Sequence, residues 1–428
     1  MQHFKNMNKS LLKTEVFAGL TTFLTMAYIV IVIPSVLSTS GTGIPFSASL
    51  TSTVLLTSLM TLMMGVYARL PYAVAPGIGL NAFFVYSLIL GNSISTPVAL
   101  GIIFWAGILF LLIACSPLQL KIAHAIPENL RFASATGIGL FLTFIGLKNG
   151  GIVVADSATF VQLGSLNQET AIVFFGFCIM IVLLRKKSPL AFLSGIALIT
   201  LFSLLTGRTH FPETIWSKPD FSSTLFQADW RGALSLVFLP SIFTIFFTAL
   251  FDSVSTFVAI SYSGGLRDEK GQPIRLKEGM ITSAVGTIVG SVLGNSPGTS
   301  YIESAAGIEA GGRTGLTSVV TALLFLPFLF LAPLAQVIPV SATAPVLVLV
   351  GAMMFRNVKN LNVSEFEDLV PAFLTIVLIP LTFSITQGIL WGLITHSVLY
   401  VFAGRRRELS PLLVILCLIA AVLVVLEL

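Results

Sequence analysis

Charge is what this chain most lacks. Of its 428 residues only 10% are Asp, Glu, Lys or Arg, while 55% are hydrophobic, and mean hydropathy stands at +0.97. A soluble domain carries about a quarter charged residues, so a soluble globular protein is excluded. Cysteine is scarce as well: Cys115, Cys178 and Cys417 all sit inside apolar runs, which leaves neither a disulfide framework nor a C-x-x-C metal site. The four histidines are scattered, with His396 alone inside a hydrophobic run. Without H-x-x-E-H or paired-histidine spacing, no bound transition metal is expected. There is also no G-x-x-x-x-G-K-[ST] stretch to cradle nucleotide phosphates, which disfavours transport driven by ATP hydrolysis within this chain. The formal charge of +5 comes with no nucleic-acid-binding motif. Residues 1–20 lack a compact apolar region followed by a small-residue cleavage site, so they read as a cytoplasmic tail leading into a first span.

What the chain has is apolar length. Stretches able to cross a bilayer, which takes ~20 residues as a helix, are predicted at 14–38, 50–68, 75–90, 97–117, 129–147, 168–184 and 189–206, and again at 233–262, 279–293, 299–310, 317–337, 342–356, 366–383 and 386–404. Fourteen crossings with the N-terminus inside put every lysine and arginine except Lys148, Arg208, Lys218 and Arg231 on the cytoplasmic side, as the positive-inside rule requires. One missed span would reverse every later loop. The basic residues therefore act as a topology signal. The run 411–428 follows GRRREL closely and reads as a helix lying at the interface rather than a fifteenth crossing.

Two copies of a seven-span unit must have opposite topology. The predicted organisation is one all-α polytopic domain: a first inverted repeat over 1–207, an extracytoplasmic loop over 208–231, a second repeat over 232–404 and a tail over 405–428. VAPGIGLNAFF (74–84) and NSPGTSYIESA (295–305) echo each other, each placing Pro-Gly before a short apolar helix. Both are too short and broken to span as helices. Each is predicted to enter as a strand-like stretch and continue as a half-helix, a backbone tolerated at membrane depth only where protein covers it or a polar cavity borders it. Half-helix N-termini meeting near the midplane form the layout of a transporter's binding site.

Two carboxylates fall within these apolar segments: Asp252 in TIFFTALFDSVSTFVAI and Glu303 at the start of the second half-helix. Charges at that depth cost ~2.5–3.5 kcal/mol each and default to functional candidates. With no basic residue mid-segment to pair them, either is a candidate to exchange a proton. Helical spacing places Asp252, Ser255, Thr256 and Ala259 on one face, and Thr299, Ser300, Glu303 and Gly307 on another. Asn81 adds a neutral polar group to the first half-helix, and Phe83, Phe84 and Tyr301 offer ring faces. Glu309, four residues before Arg313, is expected to pair with it structurally. Glu15 is expected to act as an N-terminal helix acid beside the basic tail.

The blocks TEVFAGLTTFLTMAYIV, APGIGLNAFF, GIGLFLTFIGLKNGGIVV, ALFDSVSTFV, TSYIESAAGIEAGGRTGLTS and PAFLTIVLIPLTFSITQGI run in order from residue 14 to residue 389. Together they resemble the Azg-like purine permeases of the nucleobase-ascorbate transporter superfamily. The resemblance implies a fourteen-span fold of two inverted repeats, with spans one to four and eight to eleven as a core domain and the rest as a gate domain. It further implies proton-coupled purine uptake and a homodimer in the cytoplasmic membrane. By the same resemblance, Glu303 accepts hydrogen bonds from the base, Asp252 and Thr256 face the pocket, and Tyr301 lines it with its neighbours Ser300 and Ile302. Asp252 and Glu303 become the proton-coupling candidates, and no cofactor is implied beyond the proton.

The reading is a secondary active transporter importing hypoxanthine, guanine or adenine. A transporter of uracil or xanthine, or an anion exchanger on the same fold, stands as the alternative; acids at both candidate positions speak against an anion. An intramembrane aspartyl protease would also need two membrane acids, but it has no use for paired Pro-Gly half-helices.

Overall fold

The computed structural model describes residues 9–116, 127–268 and 273–427. The expected positions of Lys5, Lys121 and Lys270, and of His3 and His124, lie outside them. Each of the fourteen predicted segments coincides with a helical element or a strand followed by a short helix. Among the described residues, eight helices are long and apolar enough to cross a membrane, and Ile78–Gly91, Ala191–Leu205 and Gly315–Phe330 are shorter apolar helices. The protein is a multi-pass, mostly helical membrane protein.

The first segment is not one rod. Lys9–Met26 ends in a turn at Ala27 and Tyr28, and Ile29–Leu37 continues, its residues Ile29 to Pro34 all buried. The two Pro-Gly segments enter as strands. Strand β1 (Val74–Pro76) pairs antiparallel with a strand far along the chain, Gly298–Ser300, with Ala75 opposite Thr299. A separate hairpin, β2 (Val153–Asp156) and β3 (Phe160–Leu163), joins two helices elsewhere, and Gly298–Ser300 is thus β4.

Extended backbone at this depth must find partners for its N–H and C=O groups, and protein groups supply them. The Thr61 hydroxyl accepts from Val74 N at 3.0 Å and donates to Val74 O at 2.9 Å. Ala73 N donates to Ser304 Oγ at 2.9 Å, Tyr301 N donates to Ala73 O at 3.0 Å, and Gly77 N donates to Pro297 O at 2.9 Å. Each broken segment satisfies the other, so neither forms alone.

Packing divides the helices into two groups. Thr96–Cys115 lies along Leu276–Val292, and Lys9–Met26 and Phe46–Met63 both pack on Gly315–Phe325. In the other group Glu128–Asn149 packs on Val340–Phe355 and Phe366–Thr382, and Gln168–Arg185 packs on Ala191–Leu205. In the first group backbones nearly touch: a Cβ built on Gly315 would sit 1.9 Å from Gly65 O, so only glycine fits that crossing. The terminal helix Pro411–Glu427 buries Leu413, Leu416, Ala420 and Val424 against Ile385–Phe402 and Leu239–Gly264.

Glu15 departs from expectation. It is fully buried, and Oε1 accepts from Arg313 N and Thr314 N at 3.0 Å each. Oε2 accepts from the Thr317 hydroxyl at 2.5 Å. The acid serves the start of Gly315–Phe325, not its own helix. A carboxylate is favoured at a helix N-terminus whose first N–H groups lack partners, and the helix it caps belongs to the other half of the chain.

Candidate functional site

The antiparallel ribbon places the two short helices at its opposite ends. Pro76 lies opposite Gly298 and Val74 opposite Ser300, so the helix starting at Ile78 leaves one end and the helix starting at Ser304 leaves the other. Two residue steps along a strand separate these ends by roughly 7 Å. Tyr301, only 6% exposed, bridges the ribbon by donating its hydroxyl to Pro76 O.

Glu303 is the residue immediately before Ser304–Glu309 and is half-buried. Its Oε1 accepts from the Tyr28 hydroxyl at 2.6 Å. Tyr28 is fully buried, held by the turn that breaks the first segment, and packs against Phe192 with centroids 4.6 Å apart. Among the described residues the ion pairs leave out both Glu303 and Asp252. Asp252, half-buried on Leu239–Gly264, which packs on β4, lies beside Thr299 and close enough to Glu303 for the two charges to interact. The two carboxylates are therefore brought together from different elements, Asp252 beside β4 and Glu303 three residues after it.

The other predicted residues divide. Thr256 is buried one turn beyond Asp252, whereas Ser255 on the same helix is exposed. Ile302 is 49% exposed, so the carboxylate site is not sealed. Asn81 is fully buried; its Nδ2 donates to Ile33 O at 3.3 Å, and its Oδ1 has no partner. Phe83 is 1% exposed and packed in the apolar core.

The shared helical face expected for Thr299, Ser300, Glu303 and Gly307 does not exist, because Thr299 and Ser300 belong to β4 and the helix begins at Ser304. Successive strand side chains point to opposite faces. Thr299 accordingly meets Asp252, while the Ser300 hydroxyl turns to Ser283 Oγ at 3.2 Å.

Glu309 does not pair with Arg313. It meets Lys187 Nζ at 3.1 Å with 57% of its side chain exposed, and Arg313 Nη1 instead donates to Ile308 O at 2.6 Å and Gly312 O at 2.8 Å, closing the C-terminal end of the short helix. The helix ends at Glu309, before the i,i+4 geometry is complete. Exposed pairs contribute at most about 1 kcal/mol, so Glu309→Gln should leave substrate affinity within twofold of wild type. An equilibrium binding titration checks this, and a tenfold loss would place Glu309 in the site.

Sequence reasoning missed Tyr28 and gave Thr299 no contact of its own. The signal for Tyr28 was a tyrosine inside an apolar run, where a buried phenol needs a partner. Nothing local pointed to Glu303 as that partner.

Comparison with known proteins bears on the family. The model of the Permease family matches residues 13–391. Among similar chains, the putative permease MJ0326 of Methanocaldococcus jannaschii is 43% identical over 412 residues, covering 96% of this chain and 94% of that one. Adenine permease AdeP of Escherichia coli is 38% identical, covering 95% and 91%. Guanine/hypoxanthine permease PbuO of Bacillus subtilis is 36% identical, covering 98% of each. Among solved structures, the transmembrane domain of a cyanobacterium bicarbonate transporter, BicA, superposes with a TM-score of 0.67 at 16% identity, covering 90% of this chain and 98% of that one. SLC26A9 gives 0.64 at 12% identity, covering 93% and 66%. At such identities the structural likeness speaks of fold alone.

Proposed function

The chain belongs to the Permease family, a transporter rather than an enzyme, and from that premise we propose that it imports purine nucleobases in symport with protons. The observation that carries the reading is Glu303: a carboxylate without an ion-pair partner among the described residues, at the end of a broken membrane segment, held by one phenol and open beside Ile302. A purine offers ring N–H donors, and a carboxylate accepts them with hydrogen bonds stronger than neutral ones. An anion would meet repulsion from Glu303 and Asp252 instead. The anion-transporter fold likeness thus extends to architecture and not to substrate.

Asp252, close enough to Glu303 for their charges to interact, is the natural partner in proton exchange: gain of a proton by either acid lowers the repulsion between them, and substrate binding at one is felt at the other. The two packing groups correspond to a core that carries the site and a gate against which it moves. The positive-inside rule places the N-terminus in the cytoplasm, and the ion pairs Lys187–Glu309 and Arg208–Glu169 fit that loop assignment, each joining residues assigned to one side. By resemblance to the Azg-like permeases, the protein works as a homodimer in the cytoplasmic membrane.

Uptake of labelled hypoxanthine, guanine, adenine and uracil into permease-deficient cells tests the reading. Purine accumulation of at least tenfold over control cells is expected, collapsing when a proton uncoupler is added. Absence of purine uptake, or uptake indifferent to the uncoupler in energised cells, would sink it.

A further inference from the structure

A cavity of about 410 Å³ lies apart from the carboxylates, and Ser35, Thr39, Tyr86, Lys148, Asn149 and Gln336 are among its lining residues. Two of the elements that bound it also build the carboxylate site. Tyr28, which holds Glu303, is seven positions before Ser35 on essentially one helical path, about 10 Å at 1.5 Å per residue. The other is Ile78–Gly91, which begins at the ribbon and carries Tyr86 eight positions on, about 12 Å away. The cavity therefore lies about two helical turns from the ribbon, and residues of both packing groups line it.

Its chemistry differs from that of the inner site. Lys148 is the one charged side chain among its lining residues, with Nζ 5.7 Å from the centroid of the Tyr86 ring. The Tyr86 hydroxyl lies near the Thr39 and Asn149 side chains, which line the same cavity from two different elements. The hydroxyls of Ser35 and Thr39 donate to Ile31 O and Val36 O at 2.7 Å each, keeping oxygen lone pairs free to accept. An ammonium, an oriented aromatic ring and a set of hydroxyl and amide groups make a site for a planar heterocycle with carbonyl oxygens, and the volume lies in the ordinary range for small-molecule pockets.

We propose that this cavity is an outer capture subsite for oxopurine bases, an inference that rests on the purine-transport reading. The base lies against Tyr86, and Lys148 donates to the C6 carbonyl and N7, the edge by which lysine reads guanine in nucleic acids. Adenine keeps N7 but turns an amino donor toward the same ammonium and loses the bond to the C6 carbonyl. Glu303, as an acceptor of ring N–H groups, discriminates poorly between them. Selection for a C6 carbonyl is thus made at the cavity, before the base reaches the carboxylates.

Initial rates of labelled hypoxanthine and adenine uptake into proteoliposomes holding the full chain, under an inward proton gradient, provide the test. Lys148→Met should raise the KM for hypoxanthine about tenfold, the cost of one charge-assisted hydrogen bond, with maximal rate and the KM for adenine within twofold. Lys148→Arg should restore most of the hypoxanthine affinity. A hypoxanthine KM that is unchanged in Lys148→Met, or that rises in step with the KM for adenine, overturns the subsite, as does a wild type that accepts adenine and no oxopurine. A wild type that moves neither base overturns the purine reading itself and the subsite with it, a result distinct from a silent Lys148 substitution in an active protein.

Discussion

Glu303→Gln is expected to abolish purine uptake and to weaken base binding by at least about hundredfold, with the protein still folded. The acid accepts the Tyr28 hydroxyl at 2.6 Å, and among the described residues its second oxygen accepts no other side-chain hydrogen bond. Hydrogen bonds to a charged acceptor contribute about 1.5–3 kcal/mol each, and tenfold in affinity corresponds to 1.4 kcal/mol. Glutamine with its NH₂ toward the base sets a donor against the ring N–H, and with its NH₂ toward Tyr28, whose hydroxyl can turn to accept, it offers the base only a neutral acceptor, so the charge-assisted bond is lost either way. The uncharged side chain fits the same half-buried place, and stability should hold. Scintillation-proximity binding with purified protein, beside a thermal melt, separates lost affinity from lost fold. Retention of base binding within threefold of wild type would remove Glu303 from the site.

Glu15→Ala is expected to cost the largest share of stability of any substitution considered. Three donors, the Arg313 and Thr314 N–H groups and the Thr317 hydroxyl, converge on this fully buried side chain. Alanine leaves all three without their acceptor, at ~1–3 kcal/mol for each buried group left unsatisfied, and it uncouples the first helix from the start of Gly315–Phe325. A loss of roughly 3–5 kcal/mol follows if part of the deficit is recovered by relaxation. Glu15→Gln keeps an acceptor for the two N–H groups and should lose less. Melting temperatures in detergent check both variants; equal values for alanine and wild type would show that Glu15 bears no such role. Gly315 lies at the same junction, pressed against Gly65 O, so the damage would spread along that helix crossing.

Much of the architecture was legible because the bilayer imposes a length and a charge rule on the sequence itself. Apolar runs of spanning length and the placement of lysine and arginine located each segment that the structure builds as a helix or as strand plus short helix. Pro76 and Pro297 marked the two places where a helix could not run, since proline donates no backbone hydrogen bond. Isolated acids in apolar runs singled out Asp252 and Glu303, because a charge at depth has a cost that chance does not offset. The errors lie where an answer needed a second element. Glu309 and Arg313 satisfied a helical spacing rule, but the helix ends between them and Lys187, remote in sequence, takes the acid. Glu15 looked like a cap for its own helix and caps another.

The sequence by itself determined that this is a polytopic membrane protein with two interrupted segments and two acids to explain, since hydrophobic length, proline and lone charge act locally. Only the tertiary structure decided that β1 and β4 satisfy one another, that Thr299 faces Asp252 while Ser300 faces away, and that the phenol on Glu303 comes from Tyr28. Those contacts join residues far apart in the chain, and a buried hydrogen bond depends on where two backbones meet rather than on the residue types that either one carries.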